Sequence, residues 1–203
     1  MKIQKIPSQI IKEPLQSLDL SRVDSIALHH MAHSTADVKT VEAWHINQGW
    51  RAIGYNFFVA FDGTVYEGRG FKLGAGVANQ NGHIISIGFQ GDYHSKNVKM
   101  PDAQFNAGVD IIKYVMEKVP AIKQIGGHKD FMATACPGEY FPLSEMKTLK
   151  KRTGELTSIA DIVWEFAQRG IMTDTSLWLK KLETDKNAYW LARKTLNYIR
   201  NKE

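Results

Sequence analysis

The stretch YNFFVAFDGTVYEGR, Tyr55–Arg69, decides the fold class of this 203-residue chain. Two runs rich in β-branched and aromatic residues flank Asp62 and Gly63, and this pattern predicts a β-hairpin with a type I′ turn. Further strand candidates lie before it, in VDSIALHH at Val23–His30, and after it, in IISIGFQGDY at Ile84–Tyr93. The first half of the chain is therefore expected to be rich in strands.

Helical patterns separate these strands. TADVKTVEAWHINQG has one apolar face and ends at a glycine, and the segment from Met100 to Pro120 carries apolar residues every three or four positions. The short run IKQIGG then reads as a strand that ends at His128. This alternation predicts an α/β fold over residues 1–150, with a mixed central sheet flanked by helices.

Beyond the basic segment Lys147–Ser158 the sequence predicts only helices. Three short helices over residues 155–203 would form a small all-helical C-terminal module. A unit of this size holds little core of its own, so it is expected to dock on the first domain, to dimerise or to be unusually well packed. Trp164, Trp178 and Trp190 are predicted to lie in its core.

The composition limits the partners and the cellular compartment. One cysteine excludes an internal disulfide, and the lysine-containing N-terminus lacks the apolar run of a signal peptide. The chain is therefore expected to be made in the cytoplasm without a signal peptide. The net charge of +5 favours an anionic partner, but there is no nucleic-acid motif or membrane-length apolar run. Neither nucleic acid nor membrane is expected as a partner.

The single cysteine lies in IGGHKDFMATACPGEYFP, where His128 precedes Cys136 by eight residues. Together with His29, at the end of a predicted strand, these side chains match the nitrogen and sulfur donors that zinc prefers. Two other interpretations remain open from the residues alone. The cysteine is a buried apolar filler in one, and in the other it is a nucleophile activated by a histidine.

Several ordered motifs between Val23 and Met146 resemble those of the zinc-dependent N-acetylmuramoyl-L-alanine amidases of phage endolysins, whose fold is shared with animal peptidoglycan recognition proteins. They are IALHH, VEAWHINQGWRAIGYNFFVAFDGTVYEGR, SIGFQGDY and GHKDFMATACPG. The resemblance implies that His29, His128 and Cys136 bind Zn²⁺. Only the family pattern selects His29 over the adjacent His30.

The resemblance also implies two catalytic hydroxyl groups. Tyr55 would hydrogen-bond the attacking water or the developing oxyanion, and Thr134 would help hold the transition state. Glu42 is considered as a nearby carboxylate, and His45 is expected to be a buried structural histidine.

The sequence departs from the family pattern at Gly76, where many relatives carry a histidine in a Gly-Ala-His motif. Arg69, Asn79 and Asn81 are candidates for the substrate groove, with turn formation as the other interpretation. The peptide-stem preference of relatives is therefore not transferred to this chain.

The function implied by the resemblance is that of a peptidoglycan hydrolase, an endolysin that cleaves the amide bond between N-acetylmuramic acid and L-alanine. The alternative is a non-catalytic protein that recognises bacterial peptidoglycan. Non-catalytic members of the family typically lack the ligand cysteine, so Cys136 favours an enzyme. The enzyme would act on the cell wall after release, and its C-terminal module would bind the wall or mediate oligomerisation.

Overall fold

The computed structural model describes residues 2–94, 99–152 and 159–200. Its strands are β1 (Ile3–Lys5), β2 (Ser25–His30), β3 (Phe57–Val59), β4 (Val65–Glu67), β5 (Ile84–Phe89) and β6 (Gln124–Gly127). Its helices are α1 (Val38–Asn47), α2 (Asp102–Lys118), α3 (Leu143–Met146), α4 (Ile159–Gln168), α5 (Thr175–Thr184) and α6 (Lys186–Arg200). Within these ranges no helix combines the length and apolarity needed to cross a bilayer.

The six strands form one sheet in the order β1-β4-β3-β5-β2-β6. The β3–β4 hairpin is antiparallel, and all other neighbouring strands are parallel. The predicted α/β fold with a mixed central sheet is therefore confirmed. The sequence did not predict β1, whose Ile3 pairs in parallel with Val65 at the edge of the sheet.

The two central strands, β2 and β5, are buried along their whole length. Such strands read as nearly continuous apolar runs because both faces of the sheet are covered. Ile26 and Leu28 of β2 pack in the same cluster as Phe105 and other residues of α2. Side chains alternate along a strand, so Ala27 and His29 point to the opposite face, away from α2. This alternation decides on which face the functional site lies.

The predicted hairpin forms, but its turn is not of type I′. Gly63 N–H donates to Ala60 C=O, and Ala60 N–H donates to Thr64 C=O. Only Gly63 of the two turn residues has a positive φ, at 80°. This is a type I turn closed by a left-handed glycine, the geometry of a three-residue loop. The Asp62 carboxylate accepts from Thr64 N–H and so stabilises the local turn.

Helices α4, α5 and α6 share an apolar cluster of their own, and α4 also contacts α2. Trp178 packs against this cluster, but Trp190 is 55% exposed, so its predicted place in the core is wrong. The side chain of Trp164 lies outside the described part of the chain. The division into residues 1–150 and 155–203 stays a prediction.

Arg152 anchors the chain ahead of the C-terminal helices. Its guanidinium donates two hydrogen bonds of 2.7 Å to the Glu145 carboxylate and one of 3.1 Å to Asp102. The same group lies 4.0 Å above the ring centre of Phe105. A bidentate ion pair combined with stacking has a defined geometry, unlike most surface ion pairs. The hydrogen bonds from Arg152 also hold the pKa of Glu145 below its ordinary value.

Candidate metal centre

The sheet topology brings the three predicted metal ligands together. His29 lies near the carboxyl end of β2, and His128 follows directly after the parallel neighbour β6, in a short 3₁₀ turn. Carboxyl ends of adjacent parallel strands meet at one edge of a sheet, so the two histidines become neighbours. Cys136 reaches them from the loop that follows β6, and one donor atom from each residue lies within 4.8 Å of the others.

The donor set fits a metal ion of the zinc type. Cys136 Sγ lies 3.9 Å from His29 Nδ1, and the ring centres of His29 and His128 are 4.4 Å apart. Nε2 of each histidine is buried without a hydrogen-bond partner in the part of the chain that the structure describes. Buried polar atoms are nearly always satisfied, so the unpaired His128 nitrogen beside the thiol and the His29 ring points to a ligand. Two imidazoles and one thiolate suit the borderline softness of zinc.

The electrostatics disfavour a thiolate–imidazolium nucleophile. Burial raises the pKa of Cys136 to about 11, although the backbone N–H of His30 acts in the opposite direction. Burial, with a smaller contribution from His128, lowers the pKa of His29 well below its ordinary value. Both groups are therefore neutral near pH 7, whereas a nucleophilic pair needs both to be charged. A divalent cation among the three side chains would instead favour the thiolate.

The structure gives a physical reason why His29, and not His30, belongs to the triad. His30 Nδ1 accepts a 2.9 Å hydrogen bond from the backbone N–H of Tyr93. The neutral ring must then carry its proton on Nε2, which leaves no lone pair for a metal. A second cluster, His30 with Asp92 and His94, has donors within 4.8 Å, but the same bond excludes His30 as its ligand.

Tyr55 lies beside the predicted ligands. Its ring centre is 5.1 Å from that of His29, and the ring covers Gly88, whose added Cβ would lie 2.8 Å from Tyr55 Cδ2. Burial, and secondarily the charge of Cys136, raises the pKa of Tyr55 above its ordinary value. The phenol therefore stays protonated and remains a hydrogen-bond donor at the site.

Arg69 fixes the loop that carries Tyr55. Its guanidinium donates to the backbone carbonyls of Ile53 at 2.7 Å, Leu73 at 3.0 Å and Ala52 at 3.3 Å. The side chain is 9% exposed. With three of its donors used on the backbone, Arg69 supports the loop.

The sequence interpretation missed Asn56, which is fully buried next to Tyr55. Its Nδ2 donates to Gly70 C=O at 2.7 Å and Lys72 C=O at 2.8 Å, while its Oδ1 accepts from Ser86 N–H at 2.9 Å. The side chain thus ties the hairpin exit to β5. An asparagine inside the otherwise apolar run of a predicted strand was the available signal.

Thr134 lies on the surface of the loop that carries Cys136. Its Oγ1 accepts a 3.3 Å hydrogen bond from the backbone N–H of Cys136. This contact uses an acceptor lone pair and leaves the hydroxyl proton available to a ligand. Thr134 thus shapes the loop of the cysteine, and its catalytic role stays a prediction.

Four other candidates have structural roles. Glu42 is fully buried and its oxygens bind Ile10 N–H and the Lys39 ammonium group, so it is not available as a base. His45 Nδ1 accepts from the backbone N–H of Gly54, and the ring stacks on Trp50. The remaining two form turns: Asn79 has φ 62°, and Asn81 Oδ1 accepts from Val77 N–H.

Comparison with known proteins agrees with this arrangement. The sequence profile of a family described as N-acetylmuramoyl-L-alanine amidase matches residues 19–139. The chain is 32% identical to peptidoglycan-recognition protein SC2 of Drosophila melanogaster in an alignment of length 123 that covers 55% of this chain and 66% of that protein. The corresponding match in Drosophila simulans is 34% identical and spans 56% of that protein. The chain thus covers between about half and two thirds of these relatives.

Solved structures of an endolysin amidase and of peptidoglycan recognition proteins share the fold. The endolysin N-acetylmuramoyl-L-alanine amidase LysCS from Clostridium intestinale superposes with a TM-score of 0.65 at 26% identity, over 72% of this chain and 93% of that one. The ectodomain complex of peptidoglycan recognition proteins LCa and LCx with tracheal cytotoxin gives 0.60 at 27% identity, over 70% and 90%. The profile match spans more than half of the chain and includes every predicted ligand, so the chain belongs to the N-acetylmuramoyl-L-alanine amidase family.

Proposed function

We propose that this chain is a zinc-dependent peptidoglycan hydrolase. It cleaves the amide bond between the lactyl group of N-acetylmuramic acid and L-alanine of the stem peptide. The observation that carries the proposal is the meeting of His29, His128 and Cys136 within 4.8 Å, with Tyr55 against the first of them. A recognition site needs no such cluster of buried donors, whereas metal-assisted hydrolysis of an amide does.

His29, His128 and Cys136 would hold the ion, and the chemistry that zinc supplies when bound is Lewis acidity towards the carbonyl and the attacking water. The protonated Tyr55 phenol donates a hydrogen bond to the oxyanion as charge develops there. One oxyanion donor typically contributes about 10²- to 10³-fold in rate. Thr134 offers a second, uncharged donor from the loop of the cysteine.

A non-catalytic recognition protein is the second candidate. It is supported by the curated relatives, which are recognition proteins, and by the fold shared with a complex that contains tracheal cytotoxin. The intact cysteine and the protonated tyrosine favour the enzyme. The same site serves either function, since an enzyme must also bind the stem peptide.

The decisive experiment incubates the purified chain with zinc and bacterial cell walls, and follows release of new L-alanine amino groups by dinitrophenylation. Release that stops with a chelator and in Cys136→Ala supports the amidase. Binding to the walls without release, at full zinc loading, identifies the recognition protein instead. Release that persists in Cys136→Ala would contradict the zinc mechanism.

The proposal extends to the place of action and to the C-terminal helices. The enzyme is made in the cytoplasm and reaches the wall after release, in the manner of a phage endolysin. Helices α4 to α6 contribute binding to the wall, through a surface that includes the exposed Trp190 and Leu191 of α6. Oligomerisation through the same surface is the competing role.

A further inference from the structure

Ser86 of β5 lies on the same sheet face as the first predicted ligand. It pairs with Ala27 of β2, and His29 follows two residues later on that strand. Ser86 is fully buried, and its Oγ has no hydrogen-bond partner among the described residues. Its backbone is held firmly, since Asn56 accepts from its N–H and donates to its C=O. A buried hydroxyl without a partner is costly, so its presence needs an explanation.

The unpaired Ser86 hydroxyl and the unpaired Nε2 of His29 both lie close to the position that a Cβ at Gly76 would occupy. A Cβ added to Gly76 would lie 2.4 Å from Ser86 Oγ and 3.2 Å from His29 Nε2. The backbone of Gly76 thus leaves room for the two polar atoms to approach each other. A residue with a side chain at this position would push them apart.

The two nitrogens of His29 face different neighbours. Nδ1 lies 3.9 Å from Cys136 Sγ, close to the separation of two ligands around one zinc ion, whereas Nε2 lies beside Gly76. A histidine that binds a metal through one nitrogen almost always donates its other N–H to an acceptor, which fixes the tautomer and the ring orientation. A serine hydroxyl is such an acceptor.

We propose that Ser86 is the positioning residue of His29. Its Oγ accepts the Nε2 hydrogen of His29 through one bridging water, and so presents the Nδ1 lone pair to the metal. This inference rests on the proposed metal site. It also explains Gly76, because a side chain at this position would fill the space between Ser86 Oγ and His29 Nε2.

Zinc affinity tests the proposal independently of activity. Competition with a chromophoric chelator at constant pH should show binding about 10- to 100-fold weaker in Ser86→Ala, the usual effect of losing such a partner. The matched control is Ser25→Ala, on neighbouring β2, whose buried hydroxyl donates to Asp24 and faces no predicted ligand. Its zinc affinity should stay within twofold of wild type.

Nitrogen-15 NMR of the zinc-loaded protein provides a signature that a purely structural role would not give. The His29 Nε2 hydrogen should exchange slowly in wild type and rapidly in Ser86→Ala.

Gly76→Ala is a second variant, whose methyl would displace the Ser86 hydroxyl and reduce the zinc affinity in the same way. Unchanged zinc affinity together with a protected Nε2 hydrogen in Ser86→Ala would overturn this role alone. Absence of zinc uptake by wild type would overturn both the metal site and this role.

Discussion

Gly88 pairs with His29 across β5 and β2, and the ring of Tyr55 occupies the space that a side chain at position 88 would take. The glycine therefore allows the phenol to reach the predicted ligand. This relationship links the register of the sheet to the geometry of the site, because a shift of one residue would place a large side chain there.

Gly88→Ala should separate Tyr55 from the site without unfolding the protein. The added Cβ would lie 2.8 Å from Tyr55 Cδ2 and 3.0 Å from Met31 Cε, so the ring must move. We expect kcat on cell walls to fall on the order of 10- to 100-fold, the usual effect of displacing a catalytic group by about 1 Å. Gly82→Ala is the control, since nothing lies within 4 Å of its Cβ. Equal kcat in both variants would contradict the role of Gly88.

Tyr55→Phe should reduce kcat by about 10²- to 10³-fold, because it removes one oxyanion donor and keeps the ring packing. Zinc content, measured by mass spectrometry, should stay at the wild-type level. Tyr66→Phe, on β4, removes a hydroxyl from another partly buried tyrosine and should keep kcat. A Tyr55→Phe enzyme with wild-type kcat would exclude the phenol from the reaction.

Two adjacent histidines should respond in opposite ways to alanine substitution. His29→Ala should lose the bound zinc and the activity, because it removes a ligand. His30→Ala should keep its zinc but lose about 1–3 kcal/mol of unfolding free energy, because the buried Tyr93 N–H would lose its acceptor. Metal analysis and urea denaturation measure the two effects. If His30→Ala loses its zinc and His29→Ala keeps it, then His30 is the ligand and the assignment of His29 is wrong.

The metal-free protein should lose stability as the pH falls from about 6.5 to about 4. Burial lowers the pKa of His30 and His45 to about 4, so the folded chain keeps both neutral while the unfolded chain takes up protons below about 6.5. Stability is therefore complete above that pH and decreases below it. Urea denaturation across this range in the presence of a chelator measures the slope.

His45→Gln should flatten this dependence on pH, since the amide oxygen can still accept from Gly54 N–H but does not titrate. If the unfolding free energy of the variant falls with pH as steeply as that of wild type, His45 does not contribute to the pH dependence.

Trp190→Ala should weaken binding to bacterial cell walls by roughly tenfold, because an exposed tryptophan at a binding surface commonly contributes that much. Leu191→Ala should act in the same direction. Ile11→Ala removes an exposed aliphatic side chain elsewhere, and should have no effect in a wall-pelleting assay. If wall binding is retained and sedimentation shows a smaller assembly, the helices serve oligomerisation and not targeting.

The periodicity of the sequence was sufficient to predict the α/β architecture, because β2, β5 and α2 carry long apolar patterns that only burial explains. It could not reveal β1. Three residues carry no usable period, and their partner β4 lies about sixty positions away. The prediction of a type I′ turn was wrong because the dipeptide Asp62-Gly63 is compatible with both a two-residue and a three-residue loop.

Residue types and motifs were sufficient to predict that His29, His128 and Cys136 lie together, but they did not give the side-chain directions. The strand backbone directs His29 and His30 to opposite faces of the sheet. The Tyr93 N–H then occupies the Nδ1 lone pair of His30. Arg69 and Asn56 satisfy backbone groups from distant segments, and such pairings depend on the completed fold. Trp190 was misjudged because a helical pattern does not show how much of each face is covered.

The clamp around Arg152 has a consequence for engineering. Since this residue binds Glu145 of α3 and both Asp102 and the Phe105 ring of α2, these two helices are tied to the chain ahead of the C-terminal helices. Chimeras that exchange helices α4 to α6 for another element should therefore be joined after Arg152. A junction placed a few residues earlier would remove the arginine, and would leave Asp102 and Glu145 without their counter-charge.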